Sequence, residues 1–461
     1  MVFVSDCGVF KNPRTPVGVF YSPFSILSSL QSGNRENQMR SVYYGWIIIA
    51  VLFIVNLAIQ ASGMFNLGLF VIPMCSDLGI SRSQFGWLST VRALSGGVSA
   101  LVLGRLVDKF GSRFLLPASA LITGICLIGI GYSTQFKYLL PLFSVIGLAG
   151  LSAGGGGVMT MVPVAKWFIR RRGLAMGIAT LGVGVGAATF IPITQFLIEG
   201  FGWRGAWNFL AGILMALIIP ISAILIRRQP EDLNLLPDGA SKEDEITPMH
   251  SSVKIEEIWS VNEAVHTRSF WLLNIALLLW GMANGGSLHR MAFWIGLGFD
   301  PRLVSMVFTI DAIGFTVMIL AAGILLDRFP PRFVQAFAFV AIICAMILML
   351  MASNVYHMLF SVILFGSAAG TTMVSQTYLW AHYYGRAFLG AIRSITLPFY
   401  LAAMAIGAPL TGFIFDHTGR YQSAWIMFIV VYFIGLLCVL AAKPPVKKPT
   451  DNPPLGAISS V

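Results

Sequence analysis

Three charged side chains stand inside long apolar stretches of this 461-residue chain, and each suits ligand binding or proton transfer. Arg92 and Arg393 carry guanidinium groups, which stay charged and bind a carboxylate through two parallel hydrogen bonds. Asp311 is a candidate proton acceptor, because an ionised carboxylate is costly to hold in apolar surroundings. Together these residue types indicate a site for an anion and a proton. The alternative is structural: an ion pair or a snorkelling side chain for each arginine, and a hydrogen bond between helices for the aspartate.

Arg92 and Asp311 are 219 residues apart, and the same offset relates two copies of a loop signature. Both copies read Gly-x-x-x-Asp-Lys/Arg-Phe-x-x-Arg, and each follows a long apolar run. The signature residues are Gly104, Asp108 and Arg113 in the first copy, and Gly323, Asp327 and Arg332 in the second. A registered duplicate of this kind predicts a membrane protein built from two copies of one unit. Equivalent places in the two halves then carry opposite charges, but we do not expect Arg92 and Asp311 to pair directly.

A second pair of titratable residues, His289 and Arg290, ends an apolar stretch near its outer side. His289 is a candidate for proton coupling, because an unperturbed histidine changes charge near neutral pH. A role as a gate, or a position at the water-exposed boundary of the membrane, would also account for His289. Arg290 is expected to reach outward to the interface, as long basic side chains near helix ends do.

The elements that must position these residues are membrane spans. The chain is 57% hydrophobic and only 11% charged, whereas soluble domains carry about 25% charged residues. Stretches long enough for a bilayer, which needs about 20 apolar residues, number twelve, six on each side of a polar segment. They are residues 41–76, 83–104, 114–136, 138–165, 173–198, 205–226, 269–290, 303–326, two within 333–385, 394–415 and 421–442. A β-barrel would instead show short strands of alternating polarity.

The orientation of the chain in the membrane follows from the distribution of its basic residues, because cytoplasmic loops are enriched in Lys and Arg. With both termini in the cytoplasm, 22 of the 30 basic residues lie in cytoplasmic segments and five in external loops. The net charge of +11 then reflects this bias and contact with anionic lipid, not nucleic-acid binding. The five cysteines show no spacing typical of a disulfide framework or a metal site.

The predicted organisation has five parts. A cytoplasmic tail over 1–42 precedes a six-helix bundle over 43–226; a cytoplasmic linker over 227–268 leads to a second bundle over 269–442; a cytoplasmic tail covers 443–461. The linker is rich in acidic residues and proline. The first 38 residues hold no apolar core of the kind found in a signal peptide.

The repeated loop and the twelve spans resemble the major facilitator superfamily over residues 43–442. The segment from Lys166 to Gly177, with Gly182 and Gly186 after it, is similar to the fifth-span motif of monocarboxylate porters. Gly45-Trp46 and the segment from Gly385 to Arg393 are similar to that branch and to the related oxalate/formate antiporters. The resemblance implies an all-α membrane protein with twelve transmembrane helices in two pseudo-symmetric six-helix bundles.

The resemblance also implies roles for particular residues. The six signature residues would form latches that hold the cytoplasmic side closed. Polar side chains on the spans that line the central cavity of this fold would contact the substrate: Asn56, Gln60, Asn284, Gln376 and Tyr378. The chain departs from the porters in two places, since Phe315 stands where their eighth span has an arginine, and residues 41–76 hold no lysine.

The function expected from these features is secondary transport of a small organic anion such as a monocarboxylate, by proton symport or anion exchange. It would act in the inner or plasma membrane, as a monomer, without a cofactor or bound metal. An exporter of drugs or a carrier of neutral solutes, with structural arginines, is the alternative within the same fold. A membrane enzyme or a sensor without transport is disfavoured, because neither a catalytic motif nor a soluble signalling domain is present.

Overall fold

The computed structural model describes residues 43–151, 155–168, 172–227, 229–233, 235, 259–385 and 389–446. All regular structure in these ranges is helical. This agrees with the prediction, since a backbone in lipid must satisfy its own hydrogen bonds.

The first half and the linker contain helices α1 to α9. Their bounds are α1 Tyr44–Ile59, α2 Met64–Leu67, α3 Val71–Leu78, α4 Arg82–Phe110, α5 Ser112–Tyr132, α6 Phe136–Leu148, α7 Gly155–Trp167, α8 Arg172–Leu225 and α9 Val261–Val265. The second half contains α10 Arg268–Gly286, α11 Arg290–Gly296, α12 Pro301–Arg328, α13 Pro331–Leu350, α14 Val355–Tyr384, α15 Leu389–Thr418 and α16 Gln422–Ala441.

Within the described residues, nine helical runs are long and apolar enough to cross a bilayer. One of them holds two predicted spans, because α8 is broken at Gly202, where φ is 69° and ψ is 171°. Helix α4 and the pair α6/α7, interrupted at Gly150, occupy the two remaining predicted positions. The helical segments therefore follow the order expected for two six-helix bundles.

The 219-residue repeat is visible in the backbone. Gly79 and Gly298 end equivalent helices with positive φ values of 63° and 93°, which glycine adopts without steric cost. Nine residues before each of these glycines, a short 3-10 segment ends in the first and in the seventh span; the two segments, Gly68–Phe70 and Ser287–His289, are again 219 residues apart.

Helix packing repeats in the same register. Gly147 of α6 packs against the carbonyl oxygen of Arg92 on α4, and Gly366 of α14 packs against that of Asp311 on α12. A Cβ atom at either glycine would clash with that oxygen. Close helix contact through small residues is typical of membrane bundles. The prediction of two pseudo-symmetric halves is confirmed at this level of detail.

The two halves form one compact unit from Gly45 onward. Helix α4 packs along α15, and α8 packs along α12, so each contact joins one half to the other. The boundaries at 226 and 268 stay a prediction. Helix α9 of the linker begins with a capping box between Ser260 and Glu263, and its Ala264 lies in an apolar cluster with Phe270 and Trp380.

Candidate functional site

A cavity of about 880 Å³ lies between the two halves. Its volume is within the range of roughly 300–1,000 Å³ that small-molecule sites occupy. Helices α2, α4, α10, α11, α12, α14 and α15 contribute to its walls. The residues with side-chain polar or charged groups among its described lining are Trp280, Asn284, Ser287, Arg290, Asp311, Gln376, Thr377, Arg393 and Tyr400.

One end of the cavity is closed by contacts between the halves, and we call it the closed end. The carboxylate of Asp416, at the end of α15, accepts the backbone N–H groups of Arg82 and Ser83 at 3.0 Å each. These are the first two residues of α4, whose unpaired N–H groups form a positive helix end. Asp416 therefore caps a helix of the opposite half.

Two further contacts hold the closed end. Arg302 of α12 forms an ion pair with Glu199 of α8, again across the halves. At the 3-10 segments, a Cβ atom at Gly68 would lie 3.1 Å from the carbonyl oxygen of Leu288. The first and seventh spans therefore meet at the pseudo-twofold axis.

The opposite end of the cavity, which we call the open end, is wide. Leu94, Val98, Met373 and Leu397 line the cavity and are nonetheless exposed. Among the described residues, this side gives access to the interior, whereas the contacts described above close the other side.

The central feature of the site is an ion pair between Arg290 and Asp311. Both guanidinium Nη atoms donate to the carboxylate, at 3.3 and 3.2 Å. Both residues line the cavity, and their relative exposures are only 2% and 1%. A two-pronged pair of this kind forms strong charge-assisted hydrogen bonds, and its burial makes the loss of either partner costly, because the other charge is left uncompensated.

Aromatic rings fix the guanidinium of Arg290. Its Cζ atom lies 3.6 Å from the ring centroid of Phe365 and 4.9 Å from that of Phe308. Cations are attracted to aromatic faces, more strongly where water is excluded. The rings leave the Nη edge of Arg290 directed at Asp311.

Arg290 was expected to turn outward, and this expectation is wrong. The turn between α11 and α12 contains Asp300, and Arg290 and Asp311 lie about ten residues before and after it. Two antiparallel helices place such residues at the same depth. That symmetry about the turn is the sequence signal that could have identified the pair.

Arg393 lines the same cavity nearer the open end. Its Nη1 donates to the hydroxyl of Thr377 at 3.2 Å, and it is half-buried. Within the described part of the chain, no carboxylate forms an ion pair with it. Its charge is therefore available to an anion in the cavity.

Arg92 is not one of the described residues that line the cavity. It is 8% exposed, and its guanidinium donates to the carbonyl oxygen of Ser62 at 2.5 Å and to the Ser62 hydroxyl at 3.4 Å. Ser62 lies in the 3-10 segment Gln60–Ser62, directly before the break at Gly63. Arg92 thus satisfies a carbonyl that the interrupted helix leaves unpaired.

The neutral candidates separate into two groups. Asn284 and Gln376 line the cavity. The Gln376 Oε1 and Trp280 Nε1 atoms are buried without a hydrogen-bond partner among the described residues. Both therefore have a polar atom to offer at the cavity wall.

The other three candidates lie elsewhere in the described structure. Asn56 donates to the carbonyl oxygen of Ala179 at 2.9 Å and joins α1 to α8. Gln60 packs beside Gly63 and Gly186. Tyr378 is exposed and stacks on His382 at 6.0 Å. None of the three is among the described lining residues of the cavity.

His289 is completely buried at the closed end instead of lying at a wetted rim. Its Nδ1 lies 3.2 Å from the Tyr421 hydroxyl, and its Nε2 lies 3.1 Å from the carbonyl oxygen of Ala408. This geometry fits a neutral ring that links the seventh span to α15 and α16, so the wetted-boundary interpretation is wrong.

The predicted latch residues are at the opposite side of the molecule from Asp416. The surroundings of Gly104 and of the Asp108 side chain lie outside the described residues. Arg113 donates from Nε to the carbonyl oxygen of Ala223 at 2.9 Å.

The second copy of the signature is open in this conformation. Asp327 is exposed, and Arg332 lies 4.6 Å from the ring centroid of Phe333. Among the described residues, nothing outside its own helix lies within 4 Å of a Cβ atom built at Gly323, and the latch role of this copy stays a prediction.

Most of the chain matches a known family. The family model described as Major Facilitator Superfamily matches residues 51–297 and 291–459. The chain belongs to the major facilitator superfamily. As a member of this superfamily it is a multi-pass membrane transporter and not an enzyme, as predicted.

Curated relatives that this chain matches include monocarboxylate transporters. Monocarboxylate transporter 13 of Bos taurus is 23% identical over 401 residues, which are 83% of this chain and 86% of that protein. Monocarboxylate transporter 11 of Mus musculus is 30% identical over 186 residues, 40% of each chain. The resemblance to the monocarboxylate porter branch is confirmed.

Solved structures show the same superfamily fold. The nucleoside transporter NupG has a TM-score of 0.68 at 13% identity and covers 87% of this chain and 99% of its own. A bacterial homologue of the human lysosomal transporter Spinster, described as inward-facing and unoccupied, has a TM-score of 0.63 at 14% identity, with 87% and 95% covered.

Proposed function

We propose that this transporter carries a monocarboxylate together with a proton. The observation that supports it is the two-pronged Arg290–Asp311 pair in the cavity wall. A buried arginine and a buried aspartate in contact form a unit that is neutral only while Asp311 is ionised. Adding a proton leaves an uncompensated positive charge, which an anion can balance.

The mechanism follows from that balance. A proton taken up by an Asp311 carboxylate oxygen weakens its two hydrogen bonds to Arg290. The substrate carboxylate then accepts those hydrogen bonds from the Arg290 Nη groups. Release of the substrate and of the proton restores the ion pair. Proton and anion therefore move together, and the empty carrier returns with the pair closed.

Arg393 supplies the first attraction. It is nearer the open end than the ion pair, and it has only a hydroxyl partner among the described residues. A carboxylate entering the cavity meets this charge before it reaches the buried pair. Asn284 and Gln376 add neutral hydrogen-bonding groups on the same wall.

The names of the relatives support the substrate class. One of the two departures found in the sequence, the missing arginine of the eighth span, also gains a physical account. Arg290 of the seventh span provides the cation that the porters have four residues after the aspartate of the eighth. The cation is supplied from another helix but meets the same carboxylate.

Alternating access follows from the two-half architecture. With both termini cytoplasmic, as the basic residues predict, the open end faces the cytoplasm and the closed end faces outside. Rocking of the halves would break the contacts of Asp416 and Arg302 and bring the signature loops together. We also propose that the transporter acts in the inner or plasma membrane.

Proteoliposomes test this proposal. An inward proton gradient should drive uptake of a labelled monocarboxylate and be accompanied by proton entry. The Asp311→Asn variant, which keeps the shape but cannot ionise, should lose the response to the gradient. The Asp232→Asn variant, changed at an exposed linker residue, serves as the control.

Gradient-driven uptake that persists unchanged in Asp311→Asn contradicts proton coupling through this pair. Uptake that depends on an internal anion but not on pH supports exchange instead. A carrier of neutral solutes is the second candidate, favoured by the apolar lining from the first half, and it predicts that uncharged analogues compete as well as acids.

A further inference from the structure

The two walls of the cavity differ in chemistry. All the charged and hydrogen-bonding side chains in its described lining come from the second half. The described lining from the first half is apolar: Met64, Phe65, Gly68, Ala93, Leu94, Gly97, Val98 and Ala100. A ligand between the walls would therefore contact charged and polar groups of the second half on one side and apolar groups of the first half on the other.

The second half adds a flat apolar floor beside its polar groups. The rings of Trp280 and Tyr400 stack with centroids 5.4 Å apart and planes 14° apart, and both line the cavity. Met291, Met373 and Met404 complete this surface. Methionine adapts its shape to varied partners and contacts aromatic rings favourably.

The cavity is also large for a carboxylate of two or three carbons. Its volume of about 880 Å³ corresponds to roughly 30 water molecules at about 30 Å³ each. A ligand with only a very short carbon chain would leave the apolar wall in contact with water. An apolar body would remove that wall from water, which is favourable in proportion to the area covered.

We infer that the substrate is an amphipathic monocarboxylate, whose carboxylate binds the second half and whose bulky apolar body lies against the first half. This inference rests on the proposed function and names the substrate class of the same site. Leu94 and Val98 are then specificity-determining residues, and the Trp280–Tyr400 stack receives a ring or branched chain.

A series of acids with growing apolar bodies tests it. Propanoate, 4-methylpentanoate and 3-phenylpropanoate are compared as ligands of the purified full chain, by the rise in its melting temperature and by competition for uptake. Each methylene that reaches the wall should tighten binding by about fourfold. The amide of 3-phenylpropanoate has the same body without the charge and should bind far more weakly than the acid.

A matched pair of variants locates the effect. Val98→Thr replaces one methyl group of the wall by a hydroxyl at nearly constant shape. Val102→Thr makes the same change one turn further along α4, at a residue that is similarly exposed (55% against 61%) but outside the described lining. Val98→Thr should weaken binding of 3-phenylpropanoate about fourfold and leave propanoate unchanged, and Val102→Thr should change neither.

The outcomes separate the two claims. Equal affinity across the acids, or tightest binding of propanoate, overturns the inference and leaves anion transport standing. Amides that bind as well as acids, or a failure of every acid to bind, overturn the proposed function and the inference with it. Equal effects of Val98→Thr and Val102→Thr would show that the first-half wall does not contact the ligand.

Discussion

Two equivalent helix crossings show how the halves of this transporter have diverged. In the first half, Arg92 crosses Gly147 and donates from its guanidinium to Ser62 of its own bundle, and it is not among the described residues that line the cavity. In the second half, Asp311 crosses Gly366 in the same register and pairs with Arg290 in the cavity wall. The two helix crossings have the same backbone register, but the first carries a positive side chain that bonds within its own bundle and the second carries a negative one that lines the cavity.

The comparison also explains why each charge is tolerated within the membrane. Both lie beside a break in the preceding span, the first at Gln60–Ser62 and the second next to Ser287–His289. An interrupted helix leaves polar backbone groups that need partners where lipid cannot supply them. Arg92 meets that need directly. The second half instead pairs the side chains of Arg290 and Asp311. Protonation of Asp311 would change the net charge of this pair.

The largest effect is expected from breaking the buried pair on one side. Arg290→Gln leaves Asp311 buried without its cation, and loss of one partner costs about 3–5 kcal/mol of stability. The double variant Arg290→Gln with Asp311→Asn should recover most of the stability but transport nothing. Thermal unfolding of the purified protein measures the first effect, and vesicle uptake measures the second.

If Arg290→Gln alone unfolds no earlier than wild type, the two residues are not coupled in the native protein. A double variant that still transports would place the anion site elsewhere.

The next largest effect is expected on ligand affinity and not on the stability of the protein. Arg393→Gln removes a half-buried charge whose described partner is only the Thr377 hydroxyl, so stability should change little. A hydrogen bond to a charged group contributes about 1.5–3 kcal/mol, which corresponds to roughly 10- to 100-fold weaker binding of the acid. Ligand titration followed by melting temperature gives both quantities, and unaltered affinity would remove Arg393 from the substrate path.

Arg92→Gln should behave in the opposite way. It loses the charged hydrogen bonds to Ser62 and should lower the free energy of unfolding by about 1.5–3 kcal/mol. Acid affinity of the folded fraction should stay near that of wild type. A variant of normal stability that no longer binds acids would restore the sequence-based prediction that Arg92 contacts substrate.

The smallest effect is expected at the closed end. Asp416→Asn removes the negative charge that the other half places at the positive end of α4, and an interaction of this kind contributes about 1 kcal/mol. The equilibrium should shift about fivefold toward opening of this end. Spin labels at Thr134 and Ser353, in equivalent loops of the two halves, report the distance between them.

Asp77→Asn is the matched control for that measurement. Asp77 pairs with Arg204 at the same end but within one half, so its loss should leave the distance distribution unchanged. Equal broadening in both variants would show that surface charge, and not the cross-half cap, sets the equilibrium.

Much of the architecture was predictable from local features. The apolar spans, the duplicated signature and the glycines at 79 and 298 each depend on a few neighbouring residues, and the structure has them in the expected order. The cavity residues Arg393, Asp311, Asn284 and Gln376 were also identified. Their roles in binding and coupling stay predictions.

The partners of the charged residues were not predictable in the same way. Arg290 was expected to reach the interface, and His289 was expected at the outer rim, as a proton-coupling residue, a gate or a wetted boundary, because both lie near the end of an apolar stretch. The structure buries both, since the span continues through Gly296 after a 3-10 turn. That continuation, Met291 to Gly296, is apolar and could have been added to the span from sequence.

The amino-acid sequence alone determined the membrane class, the twofold repeat and the family, because hydropathy, spacing and repeated motifs are properties of the chain read in order. Only the tertiary structure decided that Asp311 meets Arg290 and that Arg92 turns to Ser62. The reason is that these spans are apolar on nearly all sides, so no polar face marks which direction points to the cavity. The packing of neighbouring helices sets that rotation, and with it the choice between a structural charge and one that faces the substrate.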